Sequence, residues 1–237
     1  MMSRRAARLR AGAPVLAVVV VTGVAVYAGL DVQSHRTLSY GAGADPGSVT
    51  TVVIANPAGN VQVTGGASVL NVTERQSYRT APPTSSHAVS AGTMTLSYHC
   101  ATNDCGIDYD VQVPDGVAVQ ITDSAGNVIL TKLNAGVQVT TGAGNITASG
   151  MSGGPARFTA DAGYVLVGFA GAPVSVYAES EAGDVTVFLP GSAAYKVAAS
   201  SQAGAVHVTV PLANGAANPD TVTAKSEAGD VAVRTQM

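Results

Sequence analysis

A two-residue corner, Ala-Gly, followed by one variable residue and then a small apolar one, keeps returning in the second half of this chain. It reads Ala125-Gly126-Asn127-Val128, Ala143-Gly144-Asn145-Ile146, Ala162-Gly163-Tyr164-Val165, Ala182-Gly183-Asp184-Val185, Ala203-Gly204-Ala205-Val206 and Ala228-Gly229-Asp230-Val231. The glycines step by 18, 19, 20, 21 and 25 residues. Glycine enters backbone regions closed to other residues, so it belongs where a chain turns sharply. Asn and Asp tolerate the same geometry and bond to nearby backbone. The six glycines Gly126, Gly144, Gly163, Gly183, Gly204 and Gly229 are therefore read as structural turns.

Between corners the apolar residues alternate: Val137-Gln138-Val139, Val185-Thr186-Val187, Val206-His207-Val208-Thr209-Val210, Val231-Ala232-Val233. A period of two with β-branched residues means strands with one face inward. One such unit is too short to bury its own face, so neighbours must stack. The expected architecture is all-β, a β-solenoid-like repeat, with a β-sandwich as the alternative. The last repeat ends at the C-terminus, which predicts that the last coil closes the stack. Arg234 and Gln236 would then guard an open strand edge.

The N-terminus carries a second signal. Arg4, Arg5, Arg8 and Arg10 precede an uncharged run from Ala11 to Leu30. Twenty residues at about 1.5 Å each make a helix of about 30 Å, the thickness of a bilayer core. Basic residues stay on the cytoplasmic side, so the remainder is expected outside, as a single-pass membrane protein. Val26-Tyr27-Ala28 fits a cleavage site, and secretion after cleavage is the alternative. Four of the 12 Lys and Arg precede the run and none of the 15 Asp and Glu do, leaving 8 positive against 15 negative side chains. That balance argues against nucleic acid or anionic lipid as partner.

The domain reading follows: 1–10 a cytoplasmic basic segment, 11–30 a signal-anchor helix, 31–47 a linker, and 48–237 an extracellular repeat domain. Ala58-Gly59-Asn60-Val61 is an early copy of the corner. The stretch from Thr80 to Gly92, with Pro82-Pro83 and its serines, reads as a loop.

Cys100 and Cys105 form one motif. Outside the membrane a pair this close is expected as a disulfide. A zinc site would need two more ligands, and His99 is the only obvious neighbour. Gly150-Met151-Ser152-Gly153-Gly154 fits the hydrolase elbow pattern, with Asp184 and His207 following in order. That elbow needs a helix after the serine, and Pro155 with a strand-like stretch follows instead. Asp184 and Asp230, with Glu181 and Glu227 three residues before each, raise calcium at stacked corners. Turn chemistry explains them more directly. No catalytic residue, cofactor or metal is assigned.

Three segments carry a resemblance: Val111-Gln112-Val113-Pro114-Asp115-Gly116-Val117, the Ala-Gly-Asn/Asp-Val corners, and Asp184-Val185-Thr186-Val187-Phe188-Leu189-Pro190-Gly191 with Tyr195-Lys196-Val197. The chain resembles the bacterial putative-adhesin family of β-strand-repeat proteins over about Val49 to Val233. The resemblance implies a right-handed solenoid-like domain, often membrane-tethered, and supplies no catalytic residues. The expected function is a non-enzymatic envelope scaffold or adhesin-like module that meets an unknown envelope polymer or protein. Thr186, His207 and Thr209 would supply outward contacts. The alternative is an enzyme acting on wall polysaccharide. Its acids Asp184 and Asp230 would lie two corners apart, about 10 Å, near the separation that inverting glycosidases use.

Overall fold

Why each repeat cannot stand alone is visible in its burial pattern. Val128–Thr131 and Val61–Thr64 alternate buried and exposed residues, so each strand has one dry face that only a facing sheet can cover. The computed structural model describes residues 17–18, 33–41, 49–213 and 219–236, and all their regular structure is β.

Seven coils each give one strand to either of two sheets. They are β3 (Thr51–Asn56) with β4 (Val61–Thr64), β9 (Ala118–Ala125) with β10 (Val128–Thr131), β11 (Val137–Ala143) with β12 (Ile146–Gly153), β13 (Ala156–Ala162) with β14 (Val165–Pro173), β15 (Ser175–Ala182) with β16 (Val185–Leu189), β17 (Tyr195–Ala203) with β18 (Val206–Thr209), and β19 (Asp220–Ala228) with β20 (Val231–Thr235). Coils pair in parallel with their neighbours. The other strands are β1 (Ala17–Val18), β2 (Ser34–Gly41), β5 (Asn71–Tyr78), β6 (Thr84–Ser90), β7 (Thr93–His99) and β8 (Cys105–Gln112). At the N-terminal end β2, β5 and β8 pair antiparallel, as do β6 and β7, while β7 and β8 add an eighth step to the stack, parallel to β3 and β4. Between the sheets lies one core of mostly Val, Leu and Ile, with Phe158, Phe169, Tyr109 and Tyr195 as its largest fully buried side chains.

The corners hold the stack. A Cβ built on Gly183 would lie 2.3 Å from the Gly163 carbonyl oxygen, and one on Gly229 would lie 2.4 Å from that of Gly183. Both glycines also have positive φ, 153° and 154°. Backbone thus packs on backbone, closer than any side chain permits. The residue after each glycine extends the contact sideways. The Asn127 N–H donates to Asn60 Oδ1 at 3.1 Å, Asn145 N–H to Asn127 Oδ1 at 3.0 Å, and Tyr164 N–H to Asn145 Oδ1 at 3.0 Å. The series resumes with the Asp230 N–H donating to Asp184 Oδ1 and the Ala205 N–H to Asp230 Oδ1, both at 2.8 Å. Tyr164 interrupts it, because a ring offers no such acceptor to the next corner. Serines three residues before the glycines add a third line: Ser180, Ser226 and Ser201 hydroxyls donate to the carbonyls of Gly163, Gly183 and Gly229 at 2.7–2.8 Å.

Strand order departs from chain order at both ends. One sheet runs β1-β2-β5-β8-β4-β10-β12-β14-β16-β20-β18 and the other β17-β19-β15-β13-β11-β9-β3-β7-β6. The last coil in sequence, β19–β20, is therefore inserted between β15–β16 and β17–β18. Arg234 lies in register between Phe188 and Thr209 and guards no edge, and the Gln236 N–H donates to the Leu189 carbonyl at 2.8 Å. The expectation that the last coil closes the stack is corrected. The terminal coil is β17–β18.

Two further corrections concern the N-terminal half. Ser34–Gly41, read as linker, is a strand paired along its whole length with β5. Thr84–Ser90, read as loop, is an edge strand paired with β7, whose exposed polar side chains hide the alternation. Of the apolar run 11–30, Ala17–Val18 forms β1 against Tyr40 and Ser39. The remainder of the expected membrane helix lies outside the described residues. Among the described residues no helix is long and apolar enough to cross a membrane.

Replacing Gly183 by Val should cost roughly 2–4 kcal/mol, because strain at positive φ adds to a clash with backbone that cannot move aside. A thermal melt matching the parent's would remove the corner account. Replacing Tyr164 by Asn should give Asp184 its missing acceptor and raise stability by roughly 0.5–1.5 kcal/mol in urea titration.

Candidate functional site

Counting six residues back from each corner glycine gives one column of outward side chains: Gln120, Gln138, Arg157, Tyr177, Thr223 and Ala198. Strand register confirms that they are neighbours, Gln120 beside Gln138, then Arg157, Tyr177, Thr223 and Ala198 in turn. At parallel-strand spacing they stand about 4.8 Å apart. Beside them runs an open trough of about 320 Å³, bordered by small or flat residues, Ala118, Gly136 and Pro155. The missing side chain of Gly136 and the compact ring of Pro155 make the hollow. The taller Gln, Arg and Tyr side chains form its wall.

Arg157 is held in an unusual way. Its guanidinium carbon lies 3.9 Å from the centroid of the Tyr177 ring, and Lys225 Nζ approaches the same ring at 5.5 Å. The ring quadrupole attracts both cations. The Tyr177 hydroxyl donates to Glu179 Oε2 at 2.6 Å, which fixes the ring. Among the described residues the ion pair is Arg75–Asp110, at the far end of the molecule, so Arg157 makes no direct ion pair there. Further along the same strands, toward the corners, the outward residues turn acidic: Asp161, Glu181 and Glu227, all exposed. The face therefore has a cationic end at the trough and an anionic end at the corners.

The residues singled out from sequence fare differently. Cys100 and Cys105 are bonded to each other, with Cα atoms 5.8 Å apart, between β7 and β8. All six corner glycines lie in the stack. Gly144, Gly163, Gly183 and Gly229 have positive φ, whereas at Gly126 and Gly204 the requirement is close approach alone. Ser152, Asp184 and His207 do not meet. Strands β12 and β18 are four strand spacings apart, about 19 Å, and the Asp184 carboxylate already accepts from the next corner. Asp184 and Asp230 sit on adjacent corners, one step apart rather than two, because β20 pairs directly with β16. Among the described residues no group of three or more His, Cys, Asp or Glu converges in a way that would hold a metal ion. Thr186 is half-buried on the outer face of the other sheet, and His207 and Thr209 are exposed on β18. The column of Gln120, Gln138, Arg157 and Tyr177 was not picked out from sequence. Its signal was there, a fixed offset from the glycine.

Comparison with known proteins agrees with this architecture. Residues 47–236 match the family model described as Toastrack DUF4097. A crystal structure of a putative cell adhesion protein from Clostridium sporogenes superposes with a TM-score of 0.52 at 13% identity, covering 86% of this chain and 100% of that one. A putative adhesin from Bacteroides fragilis gives 0.49 at 14% identity, covering 88% and 100%. At 13% identity the likeness to the Clostridium sporogenes protein is one of fold. No curated protein matches the chain.

Two acids are buried inside the scaffold. Glu74 is fully buried and accepts from the Tyr40 hydroxyl at 2.5 Å and from Gln76 Nε2 at 3.2 Å. Burial first, and this carboxylate second, push the Tyr40 hydroxyl well above its ordinary range. Asp123 lies beneath the corner of Gly126, 2% exposed, beside Asn56 and Thr141 in register. Neither of its oxygens has a hydrogen-bond partner in bonding geometry. Burial raises its pKa to about 6, and the nearby Asn56 amide and Ala125 N–H offset this only in part. Between about pH 4 and pH 6 the folded chain keeps a proton that the unfolded chain has released. Asp123 therefore lowers stability as pH rises through that window, and its cost is complete above it. Asp123→Asn should stabilise the protein by roughly 1–3 kcal/mol at pH 7 and by almost nothing at pH 4. Urea titrations at the two pH values check this, and an equal effect at both would refute it.

Proposed function

The chain belongs to the Toastrack DUF4097 family, and on that premise we propose that it is a non-enzymatic, adhesin-like binding module of the bacterial cell envelope. The observation that carries this is the column Gln120, Gln138, Arg157, Tyr177 beside an open trough, one side chain per coil on a stiff two-sheet scaffold. A repeated row of this kind meets an extended partner at several points, and weak contacts then add through multivalency. An enzyme would instead need an acid, base or nucleophile brought to one point. Here Ser152, Asp184 and His207 are spread over five coils of the stack. The structural neighbours named as adhesion proteins fit the same role.

The basic flank and apolar run at the N-terminus support placement of the module outside the cell membrane, with Arg4 to Arg10 inside. Intact spheroplasts expressing the full chain with a C-terminal tag should be treated with a membrane-impermeant cross-linker. The tagged chain should be captured together with envelope material. No reaction from outside would refute the placement. Reaction without a cross-linked partner would refute the binding role.

A further inference from the structure

The trough on the outer face of the β9–β11–β13–β15 strands has one feature that a general contact surface does not need. A single guanidinium stands at its wall with no direct ion pair among the described residues; the acid on its side of the face, Glu179, is engaged by the Tyr177 hydroxyl. The register neighbours of Arg157 are Gln138 and Tyr177, both uncharged. Its guanidinium carbon sits over the Tyr177 ring, 3.9 Å from the centroid, and among the described residues no acid lies within 4 Å of its N–H donors. A guanidinium edge matches an oxyanion in two parallel hydrogen bonds. Gln120 and Gln138, on the coils before it, present amides that both donate and accept, which suits hydroxyl groups. The spacing between these side chains is that of the coils, about 4.8 Å, close to the advance of one sugar unit in an extended glycan.

Resting on the binding role above, we infer that this trough holds an acidic polysaccharide laid across the strands. One sugar unit faces each coil, hydroxyls meet Gln120 and Gln138, and a carboxylate meets Arg157. Charge placement selects this ligand over a densely charged phosphate polymer. The trough offers one free guanidinium, with Lys225 two coils away facing Glu179 in register. The acids Asp161, Glu181 and Glu227 line the corner end of the same face and repel a chain with a charge on every unit. Tyr177, at the trough wall, acts chiefly as a positioning residue: its ring orients the guanidinium.

The test uses the full chain in detergent and three probes, polygalacturonate trimmed to partly esterified chains, neutral dextran, and poly(glycerol phosphate), with binding read by calorimetry. The acidic polysaccharide should bind, dextran should not, and affinity should fall as salt rises. Arg157→Gln should weaken binding at least tenfold while its melting temperature stays at the parent's. Tyr177→Ala should weaken it comparably, and Tyr177→Phe, which keeps the ring under the guanidinium, should restore most of it. Arg75→Ala, far from the trough, should change nothing. Equal binding of dextran, tighter binding of poly(glycerol phosphate), or an unaffected Arg157→Gln variant would each overturn the assignment. If that variant still cross-links to envelope material on spheroplasts, the binding role stands and only the ligand class falls. If the parent chain captures nothing there, the role itself falls.

Discussion

Everything in this fold depends on a backbone contact at the corner. The carbonyl oxygen of one glycine lies where the Cβ of the next corner would be, 2.3 Å away at Gly183 and 2.1 Å at Gly163. No side chain can enter that column. The two sheets can therefore share one tight edge, and at the corner each coil is held in register with its neighbour, although β12 and β14 slip further along. Parallel pairing, the alternation of buried Val with outward polar residues, and the column facing the trough all follow from that fixed register.

The corner also organises the polar chemistry beneath and beside it. Asn127 and Asn145 were legible as turn residues, but each serves the coil after it rather than its own turn. The serines at Ser180, Ser226 and Ser201 use the same carbonyls from within. Where the serine position holds Asp123, the hydrogen-bond donor is lost and an acid is left buried without a partner. That substitution shows the tolerance of the scaffold: a strong backbone column carries a poor occupant.

The sequence made the solenoid-like fold, the corners and the close cysteine pair readable, because each depends on residues near one another in the chain. The stacking order was not readable. The repeats containing Gly183, Gly204 and Gly229 have the same local pattern, and any of them satisfies any other as a neighbour. Only the longer step of 25 residues between the last two marks a chain that must pass back over a coil. The strand Thr84–Ser90 was hidden for a different reason: on a sheet edge with both faces largely wet, polar residues replace the alternation that signals a strand. The trough was legible in principle. It needed the repeats aligned on the glycine, since Gln120, Gln138, Arg157 and Tyr177 share an offset and not a chemical type.

The position of β19–β20 bears on when this domain can exist. The coil β19–β20 is flanked on both sides by strands that precede it in the chain. Coils cannot be laid down one upon another in chain order, because the strands that pair with β17 and β18 are β19 and β20, which follow them. The stack becomes complete only once the segment 220–235 is in place between its two neighbours.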